Sequence, residues 1–205
     1  MKRYLIAVCA AATMFYGCGD DSGGSSGGTE VENAQAAESA QQSAQQAGEM
    51  RPLIDNGTDD AGGLAAVFNL YGGLTGTVTP LVAGNFGALT AKGGGSTSGT
   101  ITVSGDTISF NAYQIDYITG TLSVNGSMTV TATSVDGNLD YAIDISYGGQ
   151  SVSVDLSADF NSIVLDNNGC PTGGSLDIDY SYPQLYDASV RAEYGPACGD
   201  VTLFQ

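Results

Sequence analysis

From residue 99 onward, apolar side chains recur at every second position. Ile101 and Val103 form a set, then Ile108, Phe110 and Ala112, then Leu122 and Val124, then Met128, Val130 and Ala132. Leu139, Tyr141, Ile143, Ile145 and Tyr147 follow, then Val152, Val154, Leu156, Ala158 and Phe160, with mostly polar residues between. This is the period of a strand with one buried face. The alternation resumes at Leu176, Ile178, Tyr180 and Tyr182, at Val190, Ala192 and Tyr194, and at Val201 and Leu203. The pattern predicts about nine to eleven strands. A sheet of that size must curl or close to hide its apolar face. The fold expected is all-β: an antiparallel meander forming a strongly curved sheet, barrel or half-barrel, with one short N-terminal helix.

Turn residues fall between the sets, at Gly105-Asp106, Asn125-Gly126, Asp136-Gly137 and Gly148-Gly149. A two-residue turn at Gly148-Gly149 sets Ile145 against Val152, Ile143 against Val154, Tyr141 against Leu156 and Leu139 against Ala158. One at Gly105-Asp106 sets Val103 against Ile108 and Ile101 against Phe110. One at Asp136-Gly137 sets Ala132 against Tyr141 and Val130 against Ile143. At Asn125-Gly126 two residues fail the parity test, so a three-residue turn including Ser127 is expected. A one-residue slip would turn each apolar set to solvent.

Leu64, Val67, Phe68 and Tyr71 recur at helical spacing. They predict a short helix over 64–74, capped by Asp59 or Asp60 and ended by Gly72. Irregular strands are expected over 75–92.

At the N-terminus, Lys2 and Arg3 precede an apolar run from Tyr4 to Tyr16, too short to span a bilayer as a helix. The run ends in Phe15-Tyr16-Gly17-Cys18, followed by Gly19-Asp20-Asp21 and a Gly/Ser stretch. It resembles a bacterial lipoprotein signal over residues 1–18, with Gly17 as the small residue before the lipidated cysteine. The resemblance implies that residues 1–17 are removed, that Cys18 is lipidated, and that the chain meets the membrane through this anchor. It implies a place in the bacterial cell envelope, at the outer membrane. An ordinary secretory signal cleaved elsewhere is the alternative.

Residues 19–33 are almost without apolar groups, and 34–48 are rich in Ala and Gln with no large apolar side chain. Such segments bury little surface to offset ordering entropy. Residues 18–60 are therefore expected to be a lipidated cysteine and flexible tether, and 61–205 the β domain.

Composition narrows the chemistry. With five basic residues against 22 acidic ones, phosphate binding and hence nucleic acid are disfavoured. Histidine is absent, which removes the usual general base near neutral pH. No cofactor motif occurs and no enzyme is expected. Cys170 and Cys198 are the only cysteines beyond Cys18, both in turn-like sequence, and predict a structural disulfide.

Asp140, Asp144 and Asp155 share the outward face of one hairpin. They are mainly a solvated, mutually repelling surface, and weak candidates for a metal ion. No Lys or Arg occurs between residues 93 and 190 to offset them. Inward Tyr141, Tyr147, Tyr180, Tyr182 and Tyr194 fill the core or line a ligand cavity. Two function classes remain: a non-catalytic structural or interaction module with a protein partner, or a carrier of a small apolar ligand.

Overall fold

The computed structural model describes residues 28–56, 60–81, 97–117, 120–147, 150–182 and 186–205. The predicted signal peptide, Cys18 and residues 82–92 lie outside them. Among the described residues, eight strands, against the nine to eleven expected, form one antiparallel sheet in chain order. They are β1 (Thr97–Ser104), β2 (Thr107–Tyr117), β3 (Gly120–Val130), β4 (Ser134–Tyr147), β5 (Gln150–Leu165), β6 (Pro171–Tyr182), β7 (Tyr186–Tyr194) and β8 (Val201–Phe204). β1 and β8 are the two ends of that order and are not paired with each other. Residues before the first helix line the other side of β8. The Thr29 and Val31 N–H groups donate to Gln205 O and Leu203 O, and Gln205 N–H donates back to Thr29 O, each at 2.9 Å.

The β4–β5 hairpin has the expected register: Tyr147 pairs with Gln150, Ile143 with Val154, Tyr141 with Leu156 and Leu139 with Ala158. The β1–β2 hairpin does too, with Val103 opposite Ile108 and Ile101 opposite Phe110. The turns expected at Asn125-Gly126 and Asp136-Gly137 are not turns. β3 and β4 run straight through them, Gly126 pairing with Leu139 and Gly137 with Met128. The chain reverses instead between Tyr117 and Gly120 and over residues 131–133, which leaves Ala132 exposed.

The reason lies in backbone conformation. Each strand from β1 to β6 contains one residue with positive φ: Gly99, Ala112, Gly126, Gly137, Ser162 and Gly174. They are neighbours across the sheet. A Cβ on Gly99, Gly126, Gly137 or Gly174 would lie 2.1–2.4 Å from a carbonyl oxygen of an adjoining strand. Register shifts accompany the seam in four of the strand pairs. Such bulges bend the strand that carries them. The bulge at Asn111–Ala112 also moves Ala112 to the surface and turns Tyr113 and Ile115 inward.

Three helices, α1 (Ala34–Gly48), α2 (Arg51–Asn56) and α3 (Asp60–Val78), cover the apolar face of the sheet in one continuous core. The helical layer is thus larger than the single short helix expected. α3 extends beyond 64–74 at both ends and buries Val67, Leu70, Leu74 and Val78. It continues past Gly72 and through the first part of the segment expected to be irregular strands.

The Ala/Gln segment assigned to a flexible tether is α1, a docked helix. Asn33 caps it, its Oδ1 accepting the Ala36 N–H at 3.1 Å. Ala36, Ala40, Ser43, Ala44 and Ala47 form one fully buried face. Large side chains are unnecessary because the facing surfaces come close. A Cβ on Gly73 of α3 would lie 2.7 Å from Ser43 Oγ, and one on Gly76 3.0 Å from Ser39 Oγ. On the sheet side, Tyr194 of β7 donates its hydroxyl to Ala40 O at 2.8 Å in a buried bond.

Candidate functional site

The outer face of the sheet carries the sequence-predicted carboxylates. Across β3 to β7 one row reads Asn125, Asp140, Ser157, Asp179, Ser189, and the next reads Ser127, Asn138, Asp159, Asp177, Arg191. A third reads Ser123, Ala142, Asp155, Ser181, Asp187. Carboxylates mostly alternate with hydroxyls, so each strand supplies donors to its neighbour. Ser157 donates to Asp140 at 2.6 Å, Ser153 to Asp144, Ser189 to Asp179 at 2.5 Å and Ser181 to Asp187 at 2.7 Å.

Asp140 and Asp144 therefore each accept from a serine on β5, and Asp155 lies between Ala142 and Ser181. Among the described residues, no three Cys, Asp or Glu side chains gather into a group that could hold a metal ion. The register places Asp155 opposite Ala142 as expected, so the carboxylates that face each other directly are a different pair.

That pair is Asp159 and Asp177. Asn138 donates to Asp159 at 3.0 Å and Asn161 to Asp177 at 2.7 Å. Arg191, just past the stretch without basic residues, reaches Asp177 at 3.6 Å and Glu193 at 3.0 Å. Partial burial still raises the Asp177 pKa. The Arg191 guanidinium opposes that rise, and Asp159, Asp179 and Glu193 add to it.

At one end of the sheet, Cys170 before β6 is bonded to Cys198 in the β7–β8 turn, with Cα atoms 5.6 Å apart. Cys170 is buried and Cys198 exposed. Asp166 shapes the β5–β6 turn by accepting the N–H groups of Asn168 and Cys170, both at 2.8 Å. Those two bonds hold its carboxyl below the ordinary carboxylate value. Gln41 of α1 lies over the bridge, its Nε2 3.4 Å from one sulfur and 3.5 Å from the other. Nothing in the local sequence around Gln41 marks this contact, which depends on α1 being docked.

The inner face places tyrosines in a single cross-strand row: Tyr113, Val124, Tyr141, Leu156, Tyr180 and Ala188. Tyr141, Tyr180 and Tyr194 are buried as expected, and Tyr182 half-buried. Tyr147 belongs to β4, but its side chain lies outside the description. Tyr113 joins the row only because of the β2 bulge, which period-two reading passes over. Tyr71 of α3 packs on Tyr141, ring centroids 5.7 Å apart and planes tilted by 46°. Burial pushes the phenols of Tyr71, Tyr141 and Tyr194 well above their ordinary pKa, so they stay neutral. Tyr71, Tyr141 and Tyr194 therefore present apolar bodies and neutral hydroxyls inside the core.

Comparison with protein-family models, with curated proteins and with solved structures finds no match to this chain.

Proposed function

We propose that this chain is a non-catalytic module of the bacterial cell envelope, anchored to the outer membrane by lipid on Cys18 and acting through its surface. The observation that carries the choice of a module over a carrier is the filled inner face. α1 and α3 place Ala36, Ala40, Ala44, Leu70 and Leu74 in the same buried core as Leu139, Tyr141 and Ile178. Helices packed on that face support a module over a carrier. On this reading the sheet is a half-barrel, bent along the seam of positive-φ residues and wrapped on the helical pair. A closed barrel would need β1 and β8 to meet.

The lipoprotein-like residues 1–18 support the anchor. With residues 1–17 removed, three basic side chains remain against 22 acidic ones, a net charge of −19. Anionic headgroups repel such a chain, so attachment falls to acyl chains. Docking of α1 leaves nine residues, 19–27, between the anchor and the first described residue.

Two measurements test the reading. Cys18→Ala is expected to abolish metabolic labelling with fatty acid and recovery in the membrane fraction. Equal membrane association of the variant would overturn the anchor. Native mass spectrometry of protein from its own host is expected to show chain plus N-terminal lipid. A retained small apolar ligand would favour the carrier instead.

A further inference from the structure

We propose that the Cys170–Cys198 bond is a redox latch that holds the N-terminal segment on the β8 edge. β8 is short, and besides β7 its neighbours are residues 28–31 and α1. It has four residues and four partners on β7, and only Leu203 among them is fully buried. Residues 28–31 in turn depend on β8, because their three sheet-like hydrogen bonds go to Leu203 and Gln205. The segment leads directly into α1, whose Gln41 amide contacts both sulfurs.

The bond is placed to act on this corner and not on the whole sheet. It closes a loop containing only β6 and β7, which are already paired at eight positions from Ser175–Glu193 to Tyr182–Tyr186. What it adds is a tie between the β5–β6 turn, braced by Asp166, and the short turn that carries β8. The two sulfurs differ in access. Cys198 is at the surface and Cys170 is covered.

A dithiol reductant therefore meets Cys198 Sγ first. Its thiolate attacks that sulfur, a mixed disulfide forms on Cys198, and Cys170 leaves as the thiolate. The second thiol of the reductant then attacks its own sulfur in the mixed disulfide and releases Cys198. The reductant ends as a disulfide, and its two protons end on Cys170 and Cys198. With the tie broken, β8 and residues 28–31 separate from the sheet while the β2–β5 pairings are kept. If Cys18 carries the anchor, as proposed above, release also adds residues 28–31 to the chain between membrane and domain and uncovers a sheet edge.

The test is amide hydrogen exchange on the full chain, oxidised and in excess dithiothreitol, with thiol alkylation reporting the state of the bond. It requires no lipid on Cys18, so its outcome is independent of the anchor. Reduction is expected to speed exchange at Thr29, Val31 and Gln205 by about tenfold or more, as sub-global opening does. Peptides from β2 to β5 should be unchanged, and reoxidation should restore the original rates. Three results would overturn the latch: exchange at Thr29, Val31 and Gln205 unaltered after full reduction, equal acceleration across β2–β5, or a bond that dithiothreitol does not open in the native protein.

Discussion

Ser162 donates twice to Asp136 on the neighbouring strand, its N–H at 2.9 Å and its hydroxyl at 3.1 Å from the same carboxylate oxygen, Oδ2. Ser162 is one of two residues on β5 that face Asp136 alone, and its φ is +49°. The bulge takes its N–H out of the regular ladder, and Asp136 gives it an acceptor. Asn125 does the same one bulge away, its Oδ1 accepting the Ala112 N–H at 2.8 Å. These bonds are solvent-exposed, so the net value of the Asp136 contact is about 1 kcal/mol. Asp136→Ala is expected to lower Tm by about 2–4 °C, and Asp136→Asn, which keeps one acceptor, by less. An unchanged Tm for Asp136→Ala in calorimetry would remove Asp136 as the support of the bulge.

The seam makes opposite demands at Gly137 and Ala112. A Cβ on Gly137 would meet Ser127 O at 2.3 Å and Met128 Cα at 2.8 Å, with φ at +137°. Both obstacles are backbone and cannot swing away. Gly137→Ala is expected to cost at least ~2 kcal/mol. Ala112 already has a Cβ at φ +47°. There the left-handed penalty of about 1–2 kcal/mol exceeds the roughly 0.5–1 kcal/mol of extra chain entropy that glycine loses. Ala112→Gly should therefore stabilise slightly. Urea titration of both variants checks the pair. Equal losses at the two sites would mean that conformation at the seam is not what the glycines supply.

Asp177 sets a pH dependence. Its folded-state pKa is raised above the ordinary 3.8, chiefly by burial, with Arg191 opposing and Asp159, Asp179 and Glu193 reinforcing. The folded chain then binds this proton before the unfolded chain does. Ionised Asp177 is a cost to the fold at neutral pH, and the cost is relieved as pH falls through the raised value toward 3.8. Asp166 works in the other sense, but its depressed pKa keeps its contribution until the pH is below 3.8. Asp177→Asn should be more stable than the parent at pH 7 by a few tenths of a kcal/mol. The advantage should fade on acidification. Melting curves of parent and variant across that interval decide it, and a difference independent of pH would assign the effect to packing.

The β4–β5 register was legible because ten apolar positions alternate without a break on either side of Gly148-Gly149. β3 and β4 were not, because Asn-Gly and Asp-Gly mark positive φ, and a bulge needs that as much as a turn does. The parity failure at Asn125-Gly126 was the available sign that the glycine lay inside a strand. Tyr117 pairs with Gly120, and the Ile118-Thr119 sequence between them carries no turn chemistry. The disulfide was legible by elimination, since the domain holds only two cysteines. The serine partners of Asp140 and Asp144 lay outside the sequence reading, which expected a mutually repelling face, and the Asp159–Asp177 opposition needed the pairing of β5 with β6.

α1 was the largest departure, and it admits a test that separates a docked helix from a tether. Its Ala36, Ala40, Ala44 and Ala47 have the spacing of one face, but alanine alone does not reveal whether anything covers it. The covering surface is contributed by α3, with Gly73 and Gly76, and by Tyr194 of β7, all outside the local sequence of α1. Leucine is nearly as good a helix former as alanine. In a flexible tether or an exposed helix, Ala40→Leu would therefore leave stability unchanged within about 0.5 kcal/mol. In the docked helix Ala40 has no exposed surface, and its carbonyl receives the Tyr194 hydroxyl. A larger side chain must push α1 off the sheet or force neighbours out of their rotamers, at about 1–3 kcal/mol. Glu38→Leu, on the exposed side of the same helix, is the control and should be near neutral. Denaturant unfolding of the two variants gives the answer. A cost at Ala40 and none at Glu38 places α1 in the folded unit, and equal small effects at both would return it to the tether.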